Sequence, residues 1–210
     1  MLEEQVRRDI RAMLMKRGWY AYHPPDVKVL ISRPDLICLN PTTVGCIIEV
    51  KKAEVERLKN KSLSCSFGLR QIPQIQRKYL DRRTQEGLNV FFAVGTTGKR
   101  IRFKREILLV SWKDWYTFEK VKFDHDIEEK EEATIKWGVI RDYFKSDTNG
   151  RTCFLEQVGE HDWILPENHL YYEYFWTEES RFSSIEAVSY THLRAHETRG
   201  NLVCRLLLEK

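Results

Sequence analysis

Apolar residues recur at helical spacing at the start of the chain and end at Gly18. The pattern predicts an amphipathic helix that stops at this glycine, with most of its charged residues outside the apolar stripe. The stripe consists of Leu2, Val6, Ile10, Met13 and Leu14. Short apolar runs follow, and residues 19–32 predict a strand, an interruption at Pro24-Pro25 and a second strand over residues 27–31.

Two further apolar runs flank a turn. Residues 35–39 and 45–51 are separated by turn-forming residues 40–43, which predicts an antiparallel hairpin with Thr42 at its apex. In that register Asp35 lies opposite Glu49. Since side chains alternate along a strand, Glu49 and Lys51 share one face while the residues between and before them point into the core.

The predicted hairpin therefore brings two carboxylates and an ammonium group together. Directly opposed carboxylates, roughly 5 Å apart, repel each other unless a cation lies between them. A hard divalent ion with oxygen ligands meets that need, so Asp35 and Glu49 are candidate ligands of Mg2+, with Mn2+ as a substitute. In the hydrolysis of a phosphodiester, Lys51 is expected to orient or deprotonate the attacking water and to offset the negative charge that builds on phosphorus. The plainer interpretation of Glu49 and Lys51 is a solvated strand edge, but charges that interrupt buried strands seldom lack a partner or a task.

The order Pro34-Asp35, a spacer, then Glu49-Val50-Lys51 resembles the signature of the PD-(D/E)xK nuclease superfamily. The resemblance implies an α/β, restriction-endonuclease-like core with a mixed central sheet flanked by helices. It also implies Mg2+-dependent hydrolysis of phosphodiester bonds that leaves a 5′ phosphate and a 3′ hydroxyl. In the superfamily the first helix often carries a glutamate that reaches the metal, and Glu4 is the candidate here. A first-turn glutamate is also a common partner of the helix dipole.

The next helix is predicted over residues 73–86, between Pro73 and Gly87, with Ile72, Ile75 and Tyr79 as its buried stripe. Its remaining residues, Arg77 among them, are assigned to the outer faces. A buried strand over residues 88–96 follows, and a further strand over residues 101–112 is predicted after Gly98.

Residues 66–72, Gln76, residues 79–81, Gly87 and residues 91–96 together resemble the corresponding stretch of Holliday junction resolvases of phage and bacteria. In that family a glutamine on the helix after Glu-x-Lys helps to order the site. It maps best to Gln76, with Gln71 and Gln74 as alternatives.

The resemblance to resolvases implies an endonuclease of branched DNA that acts in recombination and repair, as a homodimer that makes paired nicks. The same chemistry suits a virus-type replication-repair nuclease, acting on flaps or duplexes, or a restriction-like enzyme. A catalytically inactive DNA-binding module is the alternative from another class.

Charge is unevenly distributed although the formal net charge is only +4. Basic residues concentrate between residues 51 and 105, beside the proposed site, and acidic ones between residues 119 and 132. Residues 52–66 are interpreted as a basic, mobile loop over DNA. Contacts to phosphates position DNA without reading its bases, so shape selection with little sequence preference is expected. The candidate DNA-binding residues are Lys52, Lys59, Lys61, Arg70, Arg77, Lys78, Arg100, Arg102 and Lys104.

The sequence divides into a predicted nuclease core over residues 1–115 and a small α+β extension of unknown role over residues 116–187. Asp126 and Glu129 resemble a capping box that opens a helix reaching Phe144. Residues 152–158 and 163–165 predict paired strands, and residues 170–176 an aromatic strand. This last segment is interpreted as core or subunit interface, with a stacking surface for opened DNA as the alternative.

Residues 188–210 resemble the translation of a transposase sequencing adapter followed by a flow-cell primer. We expect the natural coding sequence to be replaced near Glu186 or Ala187, so this tail is not expected to contribute to the fold. His192 and His196, which have the spacing of a zinc pair, are excluded with it.

Composition limits the classes of protein to which the chain can belong. With 210 residues, 42% of them hydrophobic, the chain can form one domain with a small extension. No signal peptide or membrane-length apolar run is evident, so a cytoplasmic protein of a bacterial or phage-infected cell, without a membrane partner, is expected. The five cysteines form no Cys-x-x-Cys pattern. Cys38 and Cys46 are expected to face each other across the hairpin as free thiols.

Overall fold

The computed structural model describes residues 2–24, 33–40, 45–97, 103–123, 133–146 and 150–176. Within these ranges the main sheet has seven strands, β1 Tyr20–Tyr22, β2 Leu36–Leu39, β3 Cys46–Arg57, β4 Leu63–Gly68, β5 Asn89–Thr97, β6 Ile107–Ser111 and β7 Thr134–Lys136. A second sheet pairs β8 Glu156–Gln157 with β9 Trp163–Ile164. The helices are α1 Leu2–Met15, α2 Gln74–Gln85, α3 Trp112–Phe123, α4 Trp137–Ser146 and α5 Tyr172–Phe175.

Strand β3 organises the main sheet because three strands pair with it. β2 runs antiparallel to its beginning, β4 runs antiparallel to its end from Glu54 onward, and β5 runs parallel to it from Cys46 to Glu54. β2 and β4 each overlap β5 along β3, so they must share the opposite edge of that strand. Between them, residues 49–53 have no strand partner on that edge among the described residues. The sheet therefore has a gap in the middle of its central strand.

Both faces of the sheet are covered. On one face α1 contributes the predicted stripe of Val6, Ile10, Met13 and Leu14, which packs on Ile48 and Val50 of β3. On the other, α2, α3 and α4 enclose a core that includes Phe67, Phe92 and Trp115. This double burial explains why residues 46–51 are all buried, charged ones included. The expected α/β class, a mixed sheet flanked by helices, is confirmed.

The sequence pattern gives α2 nearly its full length but assigns its buried face wrongly. Ile75 is 60% exposed, whereas Arg77 and Leu80 are buried. The arginine replaces an apolar residue in the stripe because it meets a buried carboxylate on α3. An expectation built on polarity alone could not include it.

Of the predicted strand over residues 101–112, residues 107–111 are confirmed as β6, whereas residues 103–106 have no strand structure. Residues 98–102 lie outside the described ranges, β6 ends at Ser111, and Trp112 begins α3. Ser111 Oγ accepts a hydrogen bond from Asp114 N at 3.1 Å and donates one to Asp114 Oδ2 at 2.7 Å. This serine and aspartate are a helix-opening signal in the sequence that the apolar run before them concealed.

The expected loop over residues 52–66 is instead a hairpin of β3 and β4, in which Glu54 pairs with Ser66 and Arg57 with Leu63. Cys38 and Cys46 do face each other, as predicted. The proposed strand over residues 27–31, the capping box at Asp126 and the tail over residues 188–210 lie outside the described residues.

In the extension, residues 156–157 pair with residues 163–164, in agreement with the predicted strands. The predicted aromatic strand is wrong, because this segment forms a turn and α5. Phe175 of α5 is buried against Trp19, so the aromatic segment belongs to the core around α1. The division into a core over residues 1–115 and an extension stays a prediction. None of the helices within the described ranges combines the length and the apolar character needed to cross a bilayer.

Helix α1 approaches the sheet closely because Gly95 of β5 has no side chain. A Cβ atom on Gly95 would lie 2.4 Å from Val6 Cγ2 and 2.7 Å from Val6 Cγ1. We expect Gly95→Ala to lower the free energy of unfolding by about 1–3 kcal/mol through overpacking, as measured by urea denaturation. Val6→Ala in the same chain should recover part of that loss, because it removes the clashing methyl groups.

Gly138→Ala is the matched control, since nothing lies within 4 Å of a Cβ atom built on this α4 glycine. It should leave the stability unchanged or raise it by about 0.5–1 kcal/mol. A Gly95→Ala protein as stable as the unsubstituted one would contradict the proposed close approach of α1.

Candidate active site

The register of β2 and β3 sets Asp35 opposite Glu49. Leu36 pairs with Ile48 and Cys38 with Cys46, and the same register, continued by one residue, opposes the two acidic residues. Asp35 lies just before β2, where Oδ2 accepts a hydrogen bond from Val50 N at 2.9 Å. The carboxylate of Asp35 thus lies at the gap in the edge of β3. There it accepts a hydrogen bond from the backbone N–H of Val50, which β2 does not reach.

Glu49 is a carboxylate at the centre of the protein, with 1% of its surface exposed. Its Oε1 accepts hydrogen bonds from Lys51 Nζ and, at 2.5 Å, from Gln76 Nε2. Its Oε2 is buried without a hydrogen-bond partner among the described residues. Burial and the charge of Asp35 raise the pKa of Glu49 well above its ordinary value, and Lys51 lowers it. A cation at Oε2 would offset both the desolvation of the Glu49 carboxylate and its repulsion by Asp35.

Lys51 is also buried, with 8% of its surface exposed. Burial lowers the pKa of its amine, but Glu49 and Asp35 raise it, and the net pKa lies above the ordinary value for lysine. In this arrangement the protonated amine is the favoured form. The site therefore contains a fixed positive charge beside its two carboxylates.

Helix α1 adds two residues that the sequence analysis did not assign to the site. Arg7 Nη1 donates to Asp35 Oδ1 at 3.2 Å. Glu3, one helical turn earlier on the same face, is half-buried, and burial raises its pKa while the charge of Lys51 lowers it. The signal was present in the sequence, because the Glu3 and Arg7 spacing of i and i+4 places both on one helix face.

The structure thus turns Glu3, rather than the expected Glu4, toward the site, while a metal-binding role for either glutamate stays a prediction. Glu4 is exposed, as are Arg8 and Arg11, which follow it on the outward face of α1. The buried phase of the helix, set by Val6 and Ile10, turns Glu3 toward the sheet and Glu4 toward solvent.

Metal ligation can be judged from the donor set. Within the described ranges no group of three or more His, Cys, Asp or Glu side chains is placed to hold a metal ion. Mg2+ nevertheless commonly uses one or two protein carboxylates and keeps several waters. Asp35 and Glu49 fit that pattern, and the unpartnered Oε2 of Glu49 is an available ligand atom.

Gln76 reaches Glu49 from α2, so of the three candidate glutamines it is Gln76 that meets the carboxylate. Gln71 lies in the single-turn 3-10 helix Leu69–Gln71, and Gln74 is the first residue of α2. The placement of Gln76 depends on the way α2 is anchored to the rest of the core.

Arg77 provides that anchor and corrects the expectation that it contacts DNA. It is 7% exposed, and its guanidinium donates to both carboxylate oxygens of Glu119 on α3. Arg77 Nε also donates to the backbone oxygen of Ile72 at 3.0 Å, and Trp115 Nε1 donates to Glu119 at 2.8 Å. The Arg77 side chain thus forms a buried ion pair with Glu119. Arg77 directly follows Gln76, the α2 residue that donates a hydrogen bond to Glu49.

The other basic candidates differ in their surroundings. Lys52 is half-buried and pairs with Glu54 at 2.5 Å. Arg100 and Arg102 lie outside the described residues, and Lys104 lies before β6, outside any strand. The remaining candidates are exposed; they are Lys59, Lys61, Arg70, Lys78 and Lys104.

Several solved structures are similar to this chain. The solved structures similar to this chain include Hjc, a Holliday junction resolvase from the archaeal hyperthermophile Archaeoglobus fulgidus. The two are 16% identical, the match covers 65% of this chain and 89% of that chain, and the TM-score is 0.36. No family model and no curated protein matches the chain. The site therefore has to be judged on its own geometry.

The ion pair of Arg77 and Glu119 can be tested by denaturation. We expect Arg77→Met to lower the free energy of unfolding by about 3–5 kcal/mol, because it leaves the Glu119 carboxylate buried without its cation. Adding Glu119→Leu should recover most of that loss. Lys78→Met, at the exposed neighbouring position, should change the stability by no more than about 0.5 kcal/mol. Equal stability of Arg77→Met and the unsubstituted protein would show that the arginine is dispensable to the core.

Proposed function

We propose that this protein is a Mg2+-dependent endonuclease that hydrolyses phosphodiester bonds in branched DNA, with Holliday junctions as its substrate. The observation that carries the proposal is the Glu49 carboxylate, buried in the central strand with Asp35 opposed to it and with one oxygen that no described residue hydrogen-bonds. Such an arrangement is costly for the fold unless a cation completes it. Two carboxylates beside an ammonium group are suited to phosphodiester hydrolysis.

In this proposal Asp35 and Glu49 hold the ion. When bound, Mg2+ would supply charge stabilisation for the scissile phosphate and the leaving oxygen. Lys51 donates hydrogen bonds from its ammonium group to a phosphate oxygen or to the attacking water, and its positive charge offsets the charge that develops on phosphorus. Gln76 donates to Oε1 of Glu49, and Oε2, which accepts no hydrogen bond from the described residues, would be available to the ion.

Arg7 and Glu3 of α1, together with His23, surround Asp35. Arg7 fixes Oδ1 of Asp35 while the backbone of Val50 fixes Oδ2, so the carboxylate plane is set from both sides. His23 Nδ1 lies 2.8 Å from the backbone oxygen of Asp35 and fastens the chain where it bends into β2. Glu3 adds a third negative charge near Lys51 and Asp35, which strengthens the field for a cation.

The choice of branched DNA rests on the basic surface and on the family resemblance of the sequence. Exposed lysines and arginines suit contacts to phosphates, and such contacts do not read the bases. A resolvase is expected to act as a homodimer that nicks two strands symmetrically. A flap or duplex nuclease, or a restriction-like enzyme, would use the same chemistry without that symmetry, and an inactive DNA-binding module would use none of it.

Purified protein should cleave a four-way junction in the presence of Mg2+ and cleave flap and linear duplex DNA of matched sequence more slowly. Asp35→Asn, Glu49→Gln and Lys51→Met should each reduce the single-turnover rate by a factor of at least about one hundred, since each removes a charge from the reacting centre. Gel analysis of end-labelled strands measures both the rate and the symmetry of nicking.

Glu3 and Glu4 form a matched pair for the same assay. Glu3→Gln should slow cleavage, because this side chain faces the site, and Glu4→Gln should not, because it faces solvent. Full activity of Asp35→Asn or Glu49→Gln would refute the nuclease proposal. Junction binding without any cleavage would favour the inactive module, and preferred cleavage of flaps would redirect the proposal to that substrate.

Metal binding can be followed without any DNA. Mg2+ at about ten times its dissociation constant should raise the free energy of unfolding by about 1.4 kcal/mol, since it binds the folded state alone. Thermal denaturation with and without Mg2+ measures this difference. Asp35→Asn and Glu49→Gln should lose the Mg2+-dependent increase, whereas Glu4→Gln should keep it. An equal increase in all of these proteins would place the ion elsewhere.

A further inference from the structure

The hairpin of β3 and β4 extends beyond the sheet. β5 accompanies β3 only as far as Glu54, and β7 pairs with β4 only from Ser66. Beyond these rungs the two strands pair only with each other within the described part of the chain. Residues 57–63, which form the end of the hairpin and are called the tip below, are all exposed. The tip is therefore a projection continuous with the strand that carries Glu49 and Lys51.

The tip has a defined turn. Leu58 N donates to Ser62 O at 2.8 Å, and Lys61 N donates to Leu58 O at 2.9 Å. The side chain of Asn60 accepts hydrogen bonds from Ser62 N at 3.1 Å and from Ser62 Oγ at 2.6 Å. Lys61 adopts a φ of 65°, in the left-handed region that tight turns require. These bonds define the backbone conformation of the tip.

The tip combines apolar and cationic side chains. Leu58 is 47% exposed and Leu63 is 46% exposed. Leu63 pairs with Arg57 and shares its face of the hairpin, while Leu58, the next residue along, belongs to the opposite face. The charged residues of the tip are Arg57, Lys59 and Lys61, with no acidic residue between them. One leucine on each face does not form a flat docking patch.

We propose that the tip is a wedge that enters the branch point of a DNA substrate. Leu58 and Leu63 would contact the bases on either side of the opened step, and the cations would bind the flanking phosphates. Apolar side chains inserted between base steps are a known means of unstacking DNA, and a branch point already lacks part of that stacking. The inference rests on the proposed function, because it names the device by which the same site would select branched substrates.

The length of β3 limits the distance between the candidate active site and the tip. Lys51 and Leu58 are separated by a single extended stretch of chain, about 23 Å at the rise of a β-strand. With the tip in the branch point, the scissile phosphate lies within about 23 Å of it, which corresponds to at most about seven base-pair steps. The cut should therefore fall at a constant offset within that range.

The wedge is tested with the full chain, in EDTA, on a four-way junction carrying 2-aminopurine at the branch point. Binding of the unsubstituted protein should raise the fluorescence as the labelled base unstacks. Leu58→Ser combined with Leu63→Ser should reduce this rise at least fivefold and leave affinity for linear duplex unchanged. Val121→Ser combined with Val158→Ser is the matched control, since these valines are 67% and 54% exposed, and it should keep the full rise.

The cations are tested separately by salt titration. Lys59→Ala with Lys61→Asn, in which asparagine tolerates the left-handed backbone, should weaken binding to junction and duplex alike. It should also lower the slope of log affinity against log salt concentration by about 1.8. Lys113→Ala with Lys122→Ala, exposed on α3, should change neither.

An unchanged fluorescence rise in the double leucine variant would overturn the wedge. So would loss of a dimer in that variant, or stronger binding of the protein to phosphatidylserine–phosphatidylcholine vesicles than to DNA, since the leucines would then serve a second copy or a lipid surface. Failure of the wedge is distinct from failure of the proposed function. Junction cleavage that the leucine variant retains in full removes the wedge alone, and junction opening without cleavage in Mg2+ removes the nuclease alone.

Discussion

The buried Glu49 carboxylate dictates how the strands and helices around it are arranged. A charged oxygen inside a sheet covered on both faces carries a large desolvation cost, and its neighbours compensate only one of the two oxygens. Lys51 and Gln76 both bind Oε1, and Asp35 adds repulsion. A fold selected for stability alone would place an apolar residue here, so the arrangement is best understood as one that accepts a cation.

The scaffold makes this arrangement by leaving a gap in the edge of β3. The pairing of β2 with β3 stops at Ile48, and the pairing of β4 with β3 starts only at Glu54, so among the described residues no strand occupies that edge of β3 between them. Asp35, the residue just before β2, uses this opening to reach the backbone of β3 at Val50. Helices on opposite faces then complete the cluster, α1 through Arg7 and α2 through Gln76.

Local patterns predicted the parts of the fold that local interactions determine. The register that opposes Asp35 to Glu49 follows from the turn between two apolar runs, and the stripe of α1 follows from its periodicity. Arg77 was misassigned because its partner Glu119 lies 42 residues away, and no local pattern contains that distance. α3 was missed because Trp112 continues an apolar run while the helix begins with it. The difference between Glu3 and Glu4 is one of helix phase, which the positions of the buried residues could have fixed.

One continuous strand links the acidic cluster to the far end of the β3–β4 hairpin, so the hairpin can act as a molecular ruler whose length is counted in residues. Lengthening each arm by two residues would move the end outward by about 6.6 Å and keep every side chain on its original face. A single residue added to each arm would instead move Leu58 and Leu63 each to the opposite face of the hairpin. Evolution of such a ruler would therefore favour changes in even steps.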